Sequence, residues 1–449
     1  MGVLFGTDGV RGIANTELGP ELAFKLGRAG AHVLTKTTKH APKILVAKDT
    51  RISGDMLEAA IVAGICSAGA KARMLGVIPT PAVAYLVREY EADAGVVISA
   101  SHNPMEYNGI KFFDRNGYKL SDELEGEIER LILSSMGDIP AVTGEKIGKA
   151  TVKRTALSDY VDFALKSIDC ELSNLKIAVD CANGANSVAA VDALTELDAN
   201  LDIIHNDPNG ININDHCGST HMEDLCSRVK SVGADIGLAF DGDADRLLAV
   251  DENGVLVDGD VIMMILALFY QQQGCLKHNT LVTTVMSNMG LFLAAEEHGI
   301  QVIQTAVGDR YVLEEMLRGD YTLGGEQSGH IIIRNYNTTG DGLITALQLL
   351  SVMKKTGRKL SELARCMKIL PQVLINVAVL PEKKLLYVEN AEIQEKIQNA
   401  QKALSGRGRV LIRPSGTESL LRVMLEGEDK NQIETLAADI AQTAKKHLG

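Results

Sequence analysis

One pattern constrains this chain above all others. An apolar, β-branched run breaks into a polar, glycine-rich loop and restarts as a helix, and the sequence does this in three places. The first series runs from Lys43 to Ala47 into Lys48-Asp49-Thr50-Arg51-Ile52-Ser53-Gly54, then into a helix from about Met56 to Ala68. Further strands follow at Lys71 to Leu75 and Ala94 to Ile98. The second series opens at Lys176-Ile177-Ala178-Val179-Asp180, and its later strand, Ile236 to Phe240, ends in an acidic loop. The third opens at Thr280 to Val285, carries a helix from about Gly290 to His298 and a strand at Gln301 to Ile303, and closes in Thr322 to His330. Short apolar runs bounded by turn residues and separated by helical spacing read as strands of doubly wound sheets. Their recurrence in one order predicts several similar α/β domains.

After a helix ending near Met367 the rhythm changes. A strand-like run (Val373 to Val379), a charged helix (Ala391 to Leu404), strands at Arg409 to Ile412 and Leu421 to Glu426, and a closing amphipathic helix predict a smaller α+β domain. The expected fold class is α/β: three similar mixed α/β domains at 1–152, 153–254 and 255–368, plus a C-terminal α+β domain at 369–449, around a central cleft.

Composition narrows the function classes. At 46% hydrophobic and 23% charged residues, this is an ordinary globular composition. No apolar run reaches the roughly 18 to 20 residues that a membrane span needs. Met1 to Asp8 lacks a basic, then apolar leader, so the expected location is cytoplasmic. The seven cysteines are scattered without a CxxC pair, which argues against a disulfide framework. His216-Cys217 with His221 lacks the second matched pair of a zinc site. A net charge of −13 argues against nucleic acid or an anionic membrane as partner. An anionic ligand must therefore be held by a few local cations.

The loops suggest what that ligand is. Ser101, in Ser99-Ala100-Ser101-His102-Asn103-Pro104, follows the strand end at Ile98, where open α/β sheets place ligands. It is expected to offer an exposed hydroxyl as a nucleophile or phosphoserine, with Lys111 to handle protons. Taken alone, an ordinary serine turn explains this loop equally well. Asp241-Gly242-Asp243-Ala244-Asp245-Arg246 carries three carboxylates at alternate positions. Read as an extended segment, they point one way and need a cation between them, and hard oxygens suit Mg²⁺. An EF-hand, with Glu252 at its twelfth position, is the rival. Arg246 where that loop needs glycine, and strand-like flanks, count against it.

Glu326, Ser328 and His330 form a set suited to sugar hydroxyls. Arg413, Ser415, Gly416 and Thr417, with Arg422 nearby, have the composition of an anion nest. Gly6-Thr7-Asp8-Gly9-Val10-Arg11-Gly12 reads as a loop ending in arginine, without the spacing of a nucleotide P-loop. Together these parts imply phosphoryl transfer on a phosphorylated polyol, with Ser101 carrying the group.

Four such loops, in this order and over almost the whole chain, resemble the α-D-phosphohexomutase superfamily. The resemblance implies that Ser101 is a phosphoserine and that Asp241, Asp243 and Asp245 hold one Mg²⁺ per subunit, completed by an oxygen on Ser101. It implies sugar contacts from Glu326 and Ser328 and a phosphate loop of Arg413, Ser415, Gly416 and Thr417. Arg11, Lys111, Arg246 and His330 match residues that surround the transferring phosphate or move protons. Phe5 to Gly12, Val307-Gly308-Asp309-Arg310-Tyr311-Val312 and Gln327 resemble the branch acting on glucosamine phosphates.

The activity so implied interconverts glucosamine 6-phosphate and glucosamine 1-phosphate, in amino-sugar nucleotide synthesis. A sugar 1,6-bisphosphate is its intermediate and activator. A hexosamine phosphate is then the partner; nucleic acid and membrane are not, and a homodimer is left open. Phosphoglucomutase or phosphomannomutase specificity competes with this reading, as does a sugar-phosphate-binding protein without catalysis. Ser419 departs from the proline that many relatives carry there.

Overall fold

In the computed structural model, which describes residues 4–6, 8–36, 38–134, 136–404, 406–415 and 419–449, the apolar runs become the central strands of four sheets. In the first sheet, Lys43–Lys48, Lys71–Val77 and Ala94–Ile98 run parallel, and Ala94–Ile98 is buried along its whole length. Burial of both faces by flanking helices is what a continuous apolar strand requires. Tyr107–Asp114 turns back antiparallel to Ala94–Ile98, and Val10–Ile13 pairs antiparallel with it at the edge. The expected loop at Gly6 to Gly12 therefore runs into a strand, with Arg11 opposite Gly109. A partner about a hundred residues away decides this, and no local spacing encodes it.

The second sheet places Ile236–Phe240, Lys176–Asp180 and Asn200–Ile204 parallel, with Leu247–Asp251 returning antiparallel to Ile236–Phe240. The third aligns Gln301–Thr305, Thr280–Thr284 and Leu323–Gly325, with Ile331–Ile333 antiparallel to the last. One arrangement recurs. In each sheet the polar loop of interest leaves the carboxyl end of a parallel strand and returns as an antiparallel neighbour. The three loops are 99–106, 241–246 and 326–330. Carboxyl ends of parallel strands are where α/β sheets bind ligands.

The first domain is closed by two helices, Pro20–Leu34 and Ser53–Ser67, in close contact. A Cβ on Gly64 would stand 2.2 Å from the Phe24 carbonyl oxygen, so this crossing needs a glycine. Any larger residue there should force the helices apart.

The chain forms two compact units: Met1–Met286 with Gly299–Cys366, and Ser287–His298 with Met367–Gly449. The second holds an antiparallel sheet of Gln372–Ala378, Leu420–Gly427 and Gly408–Pro414. Helices Ala391–Leu404 and Lys430–Leu448 cover it with a core that includes Ile393, Val423, Leu425, Ile433 and Ile440. The helix Met289–Glu297 joins this unit, because Glu426 accepts its Met289 N–H (3.1 Å) along with Arg409 Nε (2.5 Å). Carboxylates favour helix N-termini, where backbone N–H groups lack partners. Among the described residues, no helix is long and apolar enough to cross a membrane.

Candidate active site

Ser101 adopts φ +52°, the left-handed region that non-glycine residues seldom enter. Its loop is held there by a buried clamp. Arg51 donates from Nη2 to the carbonyls of Ser101 (2.9 Å) and Asn103 (2.8 Å), and from Nη1 to that of Pro104 (2.5 Å). Asn214, from the second domain, donates to the same Ser101 and Asn103 carbonyls at 2.8 and 3.0 Å. Asp49 pairs with Arg51 Nε at 2.9 Å and accepts the Ser99 hydroxyl at 2.5 Å.

The expected exposed hydroxyl is in fact buried. Only 1% of Ser101 is exposed, because the 241–246 loop closes over it. The approach is tight enough that a Cβ on Gly242 would meet the Ser101 carbonyl oxygen at 2.6 Å. Replacing Arg51 by methionine should cost about 3–5 kcal/mol in urea unfolding, since Asp49 would remain buried without its cation. A loss below about 1 kcal/mol, the size of an exposed pair, would contradict the clamp.

Asp241, Asp243 and Asp245 converge, with one ligand atom from each lying within 4.8 Å of the others. The cause differs from the extended alternation expected. The segment is a turn, with Ala244 at φ +61° and its N–H donating to the Asp241 carbonyl (3.0 Å). Asp243 Oδ1 and Asp245 Oδ1 are buried without a hydrogen-bond partner. Orphaned carboxylate oxygens facing a cluster of negative charge suit a hard divalent cation. The EF-hand alternative fails, because Leu247–Asp251 is a strand and Glu252 accepts from the Ser361 hydroxyl at 2.6 Å. Burial, then the Asp245 and Asp243 charges, push Asp241 well above the usual carboxylate range. Burial acts on Asp243 in the same sense, but the Lys111 ammonium outweighs it and holds that carboxyl well below.

The cations lie against this cluster. Lys111 Nζ is 2.9 Å from Asp243 Oδ2 and 3.0 Å from Asp8 Oδ2, and Arg11 also pairs with Asp8. Arg11 Nε and Arg246 Nε are buried donors without acceptors, which suits an incoming anion. The Ser101 hydroxyl donates to Asp241 Oδ2 at 2.6 Å. Burial, then the positive charges of Arg246 and Arg11, push His102 down to about 4, so its ring stays neutral.

In the third sheet's loop, Ser328 is exposed and Glu326 half-buried, with Glu326 Oε1 accepting the Gly308 N–H (3.1 Å). His330, grouped with sugar-facing residues by its loop's composition and with proton-moving residues by the resemblance, lies against the acidic cluster. Its buried ring lies between Asp245 and Asp309, 3.5 Å from each, with the Gly340 N–H donating to Nε2 (3.1 Å). Gln327 turns away and donates to Asp258 at 3.0 Å.

In the C-terminal unit, Arg413 and Arg422 sit directly opposite across paired strands. Burial, then Arg422, lowers Arg413 from the ordinary guanidinium range. Like charges so placed destabilise each other unless an anion lies between them. Ser415 is buried, while Gly416 and Thr417 lie outside the described residues.

Asp8, Asp49, Arg51, Thr80, Lys119, Asn214 and Asp309 were not singled out by sequence reasoning. Asp8 and Asp309 lie inside motifs that carry the family resemblance, and Asp49-Thr50-Arg51 stands out as charge in a loop at a strand end. Cys217 gathers with Asp180 and His205 instead of His216 and His221. Asp180 already accepts from Ala182 N–H, Gly218 N–H and His205 Nδ1, and burial pushes the thiol up to about 12.

Domains I, II and III (alpha/beta/alpha) and the C-terminal domain of the phosphoglucomutase/phosphomannomutase family match residues 2–136, 158–254, 258–370 and 374–443. A phosphoglucosamine mutase of Ruminiclostridium cellulolyticum is 58% identical over 448 residues, covering 100% of both chains. One from Clostridium novyi is 60% identical over 98% of each chain. The chain belongs to the phosphoglucosamine mutase family. As a member of the phosphoglucosamine mutase family it is an enzyme, and its fold extends to distant structures. A phosphoglucomutase/phosphomannomutase family protein of Burkholderia thailandensis superposes with TM-score 0.82 at 22% identity, covering 99% of this chain and 98% of that one. Aspergillus fumigatus N-acetylphosphoglucosamine mutase, in complex with GlcNAc-6P and magnesium, gives TM-score 0.70 at 19% identity over 99% of this chain and 95% of that one.

Proposed function

We propose that this phosphoglucosamine mutase family member interconverts glucosamine 6-phosphate and glucosamine 1-phosphate, carrying the phosphoryl group on Ser101. One observation carries the reading: the Ser101 hydroxyl donates at 2.6 Å to Asp241, one of three converging carboxylates, and Lys111 pairs with another of them at 2.9 Å. Phospho-Ser101 gives its group to O1 of glucosamine 6-phosphate. The resulting 1,6-bisphosphate turns over, and Ser101 recovers the 6-phosphoryl group. Added sugar bisphosphate restores the phosphoserine when it is lost.

Arg11, Arg246 and Lys111 neutralise charge on the group in transit. Lys111 and His330 hold and release protons at the sugar oxygen. Asp241, Asp243 and Asp245 would hold Mg²⁺, the ion present in the A. fumigatus relative, with an oxygen of the phosphorylated serine; it supplies further charge neutralisation. Glu326 and Ser328 grip sugar hydroxyls. Arg413, Ser415, Gly416, Thr417 and Arg422 hold the phosphate that does not react. These few cations supply the local positive potential that an overall charge of −13 does not. Domains at 1–152, 153–254, 255–368 and 369–449 each contribute one loop. The proposed setting is the cytoplasm, where glucosamine 1-phosphate feeds amino-sugar nucleotide synthesis.

The deciding experiment compares kcat/KM on glucosamine, glucose and mannose 6-phosphates. Glucosamine 6-phosphate should give the highest value. A higher one on either neutral sugar would overturn the specificity, and no turnover on any of them would favour a binding protein. Arg413→Ala should lower kcat/KM by roughly ten- to a hundredfold, through KM and kcat together. That is the kinetic equivalent of a charge-assisted contact worth about 1.5–3 kcal/mol. Mg²⁺ dependence should not change. Wild-type kinetics would exclude the C-terminal loop from the substrate.

A further inference from the structure

A chain of charged contacts, unused by the mechanism above, joins the sugar loop to the phosphoryl site. Lys119 Nζ lies 2.6 Å from Asp8 Oδ1 and 2.6 Å from Asp309 Oδ2. Through its other oxygen, Asp8 pairs with Lys111 at 3.0 Å and with Arg11, the two cations assigned to the moving phosphoryl group. Asp309 follows Gly308, whose N–H donates to Glu326 Oε1 at 3.1 Å, and Glu326 is assigned to the sugar. One ammonium thus ties a loop of the first domain to a loop of the third.

Three features set this tie apart from a surface ion pair. The side chains of Lys119, Asp8 and Asp309 are only 15, 21 and 18% exposed, so solvent screens their attraction weakly. The backbone of Lys119 is fixed by a bridge to Phe113, just beyond Lys111 on the strand Tyr107–Asp114. A second contact crosses the same seam, where the Thr338 hydroxyl donates to the Gly117 carbonyl at 2.6 Å. An ammonium shared by carboxylates of two domains keeps both partners only while both loops are seated.

We propose that Lys119 is a positioning residue that couples seating of the sugar at Glu326 to the placement of Arg11 and Lys111 around the phosphoryl group. The inference rests on the phosphoryl-transfer reading above. Lys119 acts through Asp8 and Asp309, without touching the reacting atoms. With Lys119 in place, Asp8 divides its oxygens, one for Lys119 and one for Lys111 and Arg11. Without it, that division ends: Arg11 loses the fixed position of its partner Asp8, and Lys111, still paired with Asp243 at 2.9 Å, loses its second anchor, while the groups that bind the ground state remain.

The test is steady-state kinetics on glucosamine 6-phosphate with full-length variants. Lys119→Met should lower kcat by about 10- to 100-fold, the effect of misplacing groups by a fraction of an ångström, with KM changed by less than about threefold. Lys119→Arg, which keeps the charge and can reach both carboxylates, should restore kcat to within about threefold of wild type. Asp309→Asn cuts the tie without removing the lysine, so the test does not hang on one variant folding; because Asp309 also lies 3.5 Å from His330, its share in the tie is read from the double variant. The double variant should be no slower than the worse single one, because both cut the same tie. Wild-type kcat in Lys119→Met or Asp309→Asn, or two losses that multiply in the double variant, would overturn the proposal. A wild-type enzyme that fails to convert glucosamine 6-phosphate would instead overturn the reaction itself.

Discussion

Ser101→Ala is expected to abolish mutase turnover, by at least about a thousandfold, since it removes the hydroxyl that carries the phosphoryl group. The fold should survive. The hydroxyl makes one strong bond, to the Asp241 carboxyl, and losing it costs about 1.5–3 kcal/mol. The clamp on the loop works through main-chain carbonyls, which alanine retains. Phosphopeptide mapping of active protein should place the phosphate on Ser101 and not on Ser99. Ser99 is fully buried, donates to Asp49 and accepts the Ser101 N–H, so its oxygen has no room for a phosphoryl group. Near-normal turnover in purified Ser101→Ala, or phosphate on Ser99, would remove the basis of the mechanism.

Asp243→Asn should weaken Mg²⁺ binding and slow turnover by orders of magnitude, for two reasons that compound. Asp243 Oδ1 is an orphaned buried oxygen of the metal cluster, and an amide at this position removes its charge. Asp243 Oδ2 also pairs with Lys111 at 2.9 Å and accepts the Thr80 hydroxyl at 2.7 Å. Neutralising it removes the nearer carboxylate from a buried ammonium that the mechanism needs in place, leaving Asp8 at 3.0 Å as its close partner. Titrating activity and calorimetric binding with Mg²⁺ would measure both effects. Ca²⁺ should support far less turnover than Mg²⁺, because it tolerates a looser and larger coordination shell. Equal activity with Ca²⁺, or unaltered Mg²⁺ affinity in Asp243→Asn, would refute the assignment of the cluster.

Sequence alone determined the parts of this protein whose information is local. Apolar runs such as Ala94 to Ile98 and Ile236 to Phe240 match observed strands residue for residue, because a strand buried on both faces must be continuously apolar. The polar loops after them stand out because each run stops abruptly. Carboxylates at 241, 243 and 245, Ser101 and Lys111 were legible as residue types with a chemistry.

Tertiary structure decided how those groups face one another. The carboxylates converge because Ala244 takes a left-handed conformation within a turn, and alternation along an extended strand would have been a different geometry. Ser101 is buried because a loop 140 residues later closes on it. Arg51 and Asn214 hold the Ser101 loop, and Lys119 joins Asp8 to Asp309 of the third domain, through pairs 50 to 190 residues apart. Hydrophobic period and turn chemistry report only on neighbours in the chain. A charge such as Lys119 looks like any solvated lysine until the fold sets a carboxylate on either side of it.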